Sequence, residues 1–230
     1  MPQELHDHFF RRAKSEGYLS RAAYKLIEID DRKRIVRPGH WVLDAGCAPG
    51  SWLQVLSQRV GSKGRVVGID LKEVDGRLFG PTVRTVQGDL STVLLEDLLG
   101  PWRGERARPG PPFDAVVSDM GPDTTGDPPG DSARSVRLCH DLLDRCTEFL
   151  RRGGHLVMKV YEGGDYPDLL RRAASAFEQA KGYKPDASRG ESVEMYIVCR
   201  GWRPASTRTP PAQEDVSELP RRRPSSGWTR

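Results

Sequence analysis

The sequence predicts one α/β domain with a mostly parallel β-sheet covered by helices on both faces. Short apolar runs alternate with amphipathic segments along most of the 230 residues. The first run leads into a helix through a glycine-bearing turn, and acidic residues stand where several runs end. Alternation of this kind is typical of parallel sheets, because each strand returns to the next through a crossover helix.

The lead-in to the first strand is predicted to contain one helix. Residues 1–18 are interpreted as a polar, basic N-terminal arm. Ser20 is expected to cap a helix from Arg21 to about Arg34, in which apolar residues recur at helical spacing. Lys25 lies in this helix beside the apolar stripe, where on its own it would be an ordinary surface lysine.

The rest of the domain follows in alternation, and residues 19–202 are predicted to form it. The predicted strands are residues 41–44, 65–69, 83–86, 113–118, 154–160 and 194–200, and the helices lie near 51–60, 91–99, 132–151 and 166–180. Residues 100–112 and 121–131 are expected to be surface loops. Residues 203–230 are rich in Pro, Arg and Ser without an apolar pattern, which predicts a disordered basic tail.

The turn after the first strand predicts a cofactor site. Gly46 and Gly50 allow the backbone to approach a ligand closely at the start of a helix. Asp44, Asp70 and Asp89 end the first three strands, and Asp70 stands where an acid can bind ribose hydroxyls. The loop lacks the full glycine pattern of dinucleotide sites, and carboxylates attract a cation but repel a pyrophosphate. We therefore predict S-adenosyl-L-methionine (AdoMet) rather than NAD.

A second group of polar residues is unusual for its position in the predicted sheet. Lys159 interrupts an apolar strand, where an ammonium group is costly unless it reaches a cleft. Asp119 follows the end of a strand, and Glu194 begins the last one. The three side chains are expected at one end of the sheet, next to the cofactor, which predicts a catalytic site.

Composition limits the other possibilities. Four cysteines form no Cys-x-x-Cys pair, and with five scattered histidines they give no metal-ligand spacing, so we expect no metal and a reducing compartment. No apolar stretch approaches the roughly twenty residues that span a bilayer, and no signal peptide opens the chain. A cytoplasmic protein without membrane contact is therefore expected.

The charge distribution is compatible with a polyanionic partner. The chain has 36 basic and 32 acidic residues, a net charge of +4, which is a small excess. Basic clusters at 11–14, 32–37 and 221–223 either hold phosphates or are solvated surface.

Together these motifs resemble the FtsJ/RrmJ (RlmE)-type family of ribosomal RNA large-subunit ribose 2′-O-methyltransferases. The resemblance covers residues 10–202 and rests on segments 20–26, 44–52, 68–70, 88–89, 118–122, 158–160 and 194–198. It implies a Rossmann-like class I AdoMet-dependent methyltransferase fold, with a seven-stranded sheet whose last strand is antiparallel. The chain departs from the family pattern at Ser51, Gly121 and Asp123, which affects a helix start and the substrate-side loop.

The resemblance also implies the site residues. The catalytic residues would be Lys25, Asp119, Lys159 and Glu194, and the cofactor contacts would be Gly50, Trp52, Asp70, Asp89 and Asp119. Lys159 is the expected general base for the ribose hydroxyl, helped by burial and by the nearby charge of Lys25 to lose its proton. Lys25 and Glu194 would stabilise developing charge or orient the ribose, and the sequence does not separate these roles.

The resemblance implies methylation of a uridine of 23S rRNA in the assembled large ribosomal subunit, and we expect a monomer. Two alternatives stay open. One is a ribose methyltransferase of the tRNA anticodon loop, which shares the catalytic residues, and the other is a non-catalytic RNA-binding assembly factor. A small-molecule AdoMet enzyme or an NAD oxidoreductase is disfavoured, because neither accounts for both lysines.

Overall fold

In the part of the chain that the computed structural model describes, residues 2–105, 109–188 and 192–204, seven strands alternate with six α-helices. The helices are α1 (Pro2–Glu16), α2 (Ala22–Lys33), α3 (Ser51–Val60), α4 (Leu95–Leu99), α5 (Pro128–Phe149) and α6 (Tyr166–Ala176). The strands are β1 (Trp41–Ala45), β2 (Arg65–Asp70), β3 (Val83–Gln87), β4 (Phe113–Ser118), β5 (Leu150–Tyr161), β6 (Phe177–Tyr183) and β7 (Glu194–Trp202).

The strands form one sheet in the order β3-β2-β1-β4-β5-β7-β6. The pairs from β3 to β5 are all parallel, whereas β7 is antiparallel to both of its neighbours. This confirms the predicted seven-stranded, mostly parallel sheet with an antiparallel last strand. Strand order reverses between β1 and β4, and ligands of open α/β sheets bind at the carboxyl ends of the strands beside such a point.

Helices cover both faces of the sheet, as predicted. Helices α2 and α3 pack on one face in an apolar cluster that includes Leu26, Leu53 and Val157. Helices α5 and α6 pack on the other face with Leu142 and Leu169, and short α4 joins the same cluster. Strands β1 and β4 are buried along their whole length, which explains why their sequences are apolar apart from Asp44, Asp114 and Ser118.

Helix α2 is fixed at both ends, and this determines where Lys25 lies. At its start, Ser20 accepts the N–H of Ala22 and donates its hydroxyl to Ser51 at the start of α3. At its end, the buried carboxylate of Asp30 accepts the N–H groups of the two residues after the last turn, Ile35 and Val36. The helix therefore has a defined position along the sheet.

The predicted arm, residues 1–18, contains α1, which packs against α2. The guanidinium of Arg12 lies 4.5 Å from the ring centroid of Tyr24, and the Tyr24 hydroxyl donates to Glu16 at 3.1 Å. Most of the predicted tail, from residue 205 onward, lies outside the described residues. No described helix combines the length and the apolar character that a membrane span requires.

One strand was missed in the sequence prediction, which placed residues 177–180 in a helix. The helical pattern of 166–180 continues past the true end of α6 at Ala176, and residues 177–183 form the edge strand β6. Residues 177–183 form a strand because they pair with β7. The pairing runs from Phe177 opposite Trp202 to Tyr183 opposite Tyr196. Pairing with a distant segment therefore overrides the local helical pattern. Smaller differences are a later start for α4 and earlier starts for α5 and β5.

Candidate active site

The glycine loop follows β1 and leads into α3. Gly46 and Gly50 both have positive φ angles, +78° and +111°, which residues with a Cβ rarely adopt. A Cβ at Gly46 would lie 2.4 Å from the side chain of Met120 and 3.1 Å from its Cα. The loop therefore lies directly against the segment after β4, where Asp119 is located.

Asp70 at the end of β2 binds the same loop. Its Oδ2 accepts the N–H of Ala48 at 2.9 Å, and its Oδ1 accepts the N–H of Lys72 at 2.8 Å. The carboxylate is thus held between the glycine loop and the chain that follows β2, at the carboxyl edge of the sheet.

Asp44 is fully buried within β1, and neither of its carboxylate oxygens has a hydrogen-bond partner among the described residues. Burial raises the pKa of Asp44 well above its usual range, and the nearby carboxylates of Asp119 and Asp70 raise it further. A buried carboxyl group without a partner is unfavourable. A positively charged ligand beside it would supply the missing interaction.

Lys25 and Glu194 connect α2 to the start of β7. The ammonium of Lys25 lies 2.6 Å from Oε2 of Glu194, and the side chains are 9% and 23% exposed. Burial alone would raise the pKa of Glu194, but Lys25 and then Lys159 outweigh it, so that the pKa is lowered. Glu194 is therefore ionised over a wide pH range.

Lys159 lies at the centre of the cluster. Its Nζ donates to the backbone carbonyl of Asp119 at 2.5 Å, and lies 3.2 Å from Asp119 Oδ1 and 3.9 Å from Glu194 Oε1. The fully buried Tyr196 donates its hydroxyl to the same Oδ1 of Asp119 at 2.6 Å. Two ammonium groups and two carboxylates thus form one connected group next to the glycine loop.

The sequence of the chain also matches a known protein family. Residues 18–202 match the sequence profile of one family, described as FtsJ-like methyltransferase. The chain belongs to the FtsJ-like methyltransferase family. This confirms the predicted family, and with it the enzyme class, an AdoMet-dependent methyltransferase.

Individual relatives of this FtsJ-like protein agree. It is 45% identical over 198 residues to a protein of Syntrophobacter fumaroxidans named ribosomal RNA large subunit methyltransferase E, with 86% of this chain and 96% of the relative covered. A Halobacterium salinarum protein of the same name is 43% identical over 84% of this chain and 72% of its own length. A solved structure described as a putative ribosomal RNA methyltransferase from Plasmodium falciparum has a TM-score of 0.68 and 29% identity, covering 80% of this chain and 98% of that one.

Two predicted cofactor residues of the FtsJ-like chain are engaged with neighbouring protein groups. Trp52 is 2% exposed, and its indole N–H donates to the carbonyl of Ala22, so it links α3 to α2. Asp89 is exposed after β3, and its Oδ1 accepts both the N–H and the hydroxyl of Ser91, which lower its pKa. Their contacts with a cofactor stay predictions.

The departure from the FtsJ family pattern at Gly121 has a structural counterpart in Tyr161. A Cβ at Gly121 would lie 2.8 Å from the Tyr161 hydroxyl and 3.3 Å from Cε and Nζ of Lys159. The hydroxyl of Tyr161 therefore occupies the space that a larger residue at 121 would need. Burial raises the pKa of Tyr161, and Glu194 and Asp119 raise it further.

Sequence reasoning missed Tyr161 and Tyr196. Both could have been found from strand alternation, because Tyr161 is two residues from Lys159 in β5 and Tyr196 is two residues from Glu194 in β7. These four side chains share the face of the sheet on which α2 packs. Among the described residues, no group of three or more His, Cys, Asp or Glu side chains could hold a metal ion.

Proposed function

We propose that this FtsJ-like chain is an RNA ribose 2′-O-methyltransferase that modifies a uridine of 23S rRNA in the assembled large ribosomal subunit. The observation that carries the proposal is the group formed by Lys25, Asp119, Lys159 and Glu194 beside the glycine loop. Such a group suits removal of a proton from a hydroxyl next to a methyl donor. The rRNA substrate is taken from the names of the relatives.

The residues around the glycine loop fit AdoMet. Its positive charge suits the three carboxylates of Asp44, Asp70 and Asp119, and the two buried oxygens of Asp44 lack hydrogen-bond partners among the residues that the structure describes. Asp70 is proposed to bind the ribose hydroxyls, and Asp89 the exocyclic amine of the adenine. When bound, AdoMet supplies a methyl group that is already activated by its sulfonium.

Lys159 is proposed to act as the general base. A ribose hydroxyl is a poor nucleophile until its proton is removed, and a free lysine amine can accept that proton. The contacts of Lys159 Nζ with the carbonyl and the carboxylate of Asp119 fix the position of the nitrogen. Tyr196 in turn holds that carboxylate. Alignment of this kind contributes as much to rate as the proton transfer itself.

Lys25 is proposed to stabilise the negative charge that develops on the ribose oxygen. Glu194 accepts from Lys25 at 2.6 Å and lies 3.9 Å from Lys159, so it sets the distance between the two ammonium groups. The alternative role for Glu194 is a direct contact between its carboxylate and the ribose.

The RNA is proposed to lie along α1 and α2, whose basic residues flank the catalytic group. Arg32 at the end of α2 is exposed, although it lies within 3.4 Å of Asp186 and 3.6 Å of Glu28. Arg11 and Arg12 lie on α1. Contacts of such residues with phosphates position RNA without reading its sequence.

The proposal is tested by transfer of labelled methyl from AdoMet to three substrates in parallel. These are large subunits that lack their native methylation, naked rRNA and bulk tRNA, with the product mapped by nuclease digestion. Label recovered as 2′-O-methyluridine from the subunit is the expected result. Label in tRNA alone would assign the chain to anticodon-loop enzymes, and no label despite bound AdoMet would favour an assembly factor.

We also propose that the protein is a monomer and that it is located in the cytoplasm.

A further inference from the structure

A basic pocket lies at the other end of the strands that carry the catalytic group. Arg200 is six residues after Glu194 in β7, and its cross-strand neighbours are His155 in β5 and Gln179 in β6. At about 3.3 Å per residue along β7, Arg200 is about 20 Å from Glu194. These residues, with Arg37 and Glu178, line a pocket of ≈ 280 Å³.

Helix α2 connects the catalytic group to this pocket. Near its start, Lys25 donates to Glu194, and at its end the carbonyl of Lys33 accepts from Nη2 of Arg200. Three basic residues, 32–34, and then Arg37 follow one another along the end of the helix toward the pocket. Basic residues are therefore concentrated at the pocket end of α2, whereas the acidic residues 28, 30 and 31 lie between them and Lys25.

The pocket contains polar nitrogen atoms that no residue in the described part of the chain satisfies. Nε of Arg200 and Nδ1 of His155 are buried and have no hydrogen-bond partner among the described residues. Buried nitrogen atoms of this kind are rare in folded proteins unless a ligand or water satisfies them. Two such nitrogen atoms on adjacent strands at one pocket point to one ligand that both would contact.

The charges around the pocket favour an anion. Burial first, and then the positive charges of Arg200, His40, Arg151 and Arg37, lower the pKa of His155 to about 4. Of these cations, Arg151 is paired with Asp114 at 2.5 Å. Neither Arg37 nor Arg200 has a carboxylate partner among the described residues, and Glu178 is the one acid on the pocket wall.

We propose that this pocket binds a backbone phosphate of the RNA substrate, about six stacked nucleotides from the nucleotide in the active site at about 3.4 Å per step. Phosphate oxygens would accept from Nε of Arg200 and from Nδ1–H of His155, and Arg37 would add a second guanidinium. The inference deepens the proposed function and rests on it. RNA is favoured over an acidic protein because the proposed substrate is itself an RNA, and because basic residues 32–34 and Arg37 at the end of α2 adjoin the pocket.

The test compares two RNA fragments by fluorescence anisotropy over a series of salt concentrations. The long fragment extends about ten nucleotides on each side of the target and reaches the pocket, and the short fragment ends about two nucleotides from it. The variants are Arg37→Gln and Arg200→Gln. The matched control is Arg171→Gln, which removes one exposed charge from α6 on the opposite face.

We expect Arg37→Gln to weaken binding of the long fragment about tenfold more than binding of the short one. The slope of log K against log salt for the long fragment should also become shallower by about 0.7, the value for one lost phosphate contact with a single strand. Arg171→Gln should change neither quantity. Equal slopes and affinities for Arg37→Gln and Arg171→Gln would overturn the inference.

Arg200 also holds a helix carbonyl, so a measurement on the unmodified protein is needed beside its variant. The imidazole resonances of His155 should shift when the long fragment is added and stay in place with the short one. No shift with either fragment would contradict the inference. If the variants bind both fragments normally but lose affinity for intact subunits, the pocket contacts a ribosomal protein instead. Because all these readouts are binding, absence of methyl transfer would overturn the proposed function and leave this result standing.

Discussion

Lys25 Nζ and Glu194 Oε2 lie 2.6 Å apart, although 169 positions separate the two residues in the sequence. The pair joins α2 to β7 and holds the lysine at the carboxyl edge of the sheet. With side chains 9% and 23% exposed, neither charge is well solvated. Loss of one partner therefore leaves the other charge partly buried and unpaired, which costs more than the pair contributes.

Glu194→Gln is expected to destabilise the protein by about 2–3 kcal/mol at pH 7. The pKa of Glu194 is lowered in the folded state, so its stabilisation is present above the unfolded value of about 4.3 and is lost as pH falls through the folded value. The destabilisation should therefore shrink at about pH 3.5. Urea unfolding at both pH values measures it, with exposed Glu73→Gln as the control. An equal loss at both pH values would contradict this role.

Asp44→Asn is expected to stabilise the cofactor-free protein, and by more as the pH rises. The pKa of Asp44 is raised in the folded state, so the cofactor-free protein loses stability as pH rises above about 3.9 toward the folded value. An amide cannot ionise, so the variant gains stability relative to the unmodified protein as pH rises. Thermal unfolding without cofactor at pH 5 and pH 8 tests this. A constant difference between the two proteins would show that Asp44 does not titrate in this way.

The sequence predicts best the elements that are marked by local features, such as flanking glycines or an unbroken apolar run. Helix α3 and strand β4 have the predicted bounds, because glycines delimit the first and an unbroken apolar run defines the second. The prediction of a helix as far as residue 180 was wrong, because Phe177–Tyr183 becomes a strand only through pairing with β7. No local pattern records that partner.

The candidate site could likewise be predicted only in part from the sequence. Strand-end positions predict that Asp119, Lys159 and Glu194 lie close together, and the structure has them within hydrogen-bonding or ion-pair distance. Their catalytic roles stay predictions. The lack of partners for Asp44 and the hydrogen bond from Tyr196 to Asp119 depend on three-dimensional positions, so the sequence could not reveal them.

Asp70→Ala is expected to raise the Kd for AdoMet about 10- to 100-fold, since a hydrogen bond to a charged group contributes about 1.5–3 kcal/mol. The change also removes the acceptor for the N–H of Ala48, whereas Asp70→Asn keeps one oxygen and should lose less affinity. Isothermal titration gives both constants. Single-turnover rates at saturating AdoMet should stay close to those of the unmodified protein. An unaltered Kd would remove Asp70 from the cofactor site.

Gly121→Ala is expected to lower turnover about tenfold, because the new methyl group would displace the Tyr161 hydroxyl and press on Lys159. Tyr161→Phe removes the closer of the two contacts, at 2.8 Å, so the double variant should recover most of the loss. Turnover of both single variants and the double variant completes the cycle. If the alanine lowers turnover equally with tyrosine and with phenylalanine at 161, the two positions are not coupled.

The most direct test of the account is the single-turnover methyl-transfer rate of Lys159→Ala and Lys159→Arg, at saturating AdoMet and RNA. Arginine keeps the positive charge but cannot accept a proton, so it separates a base from a merely electrostatic group. We expect both variants to lose on the order of 10²-fold or more, with AdoMet affinity nearly unchanged. Near-normal turnover of Lys159→Arg would contradict the assignment of Lys159 as the base.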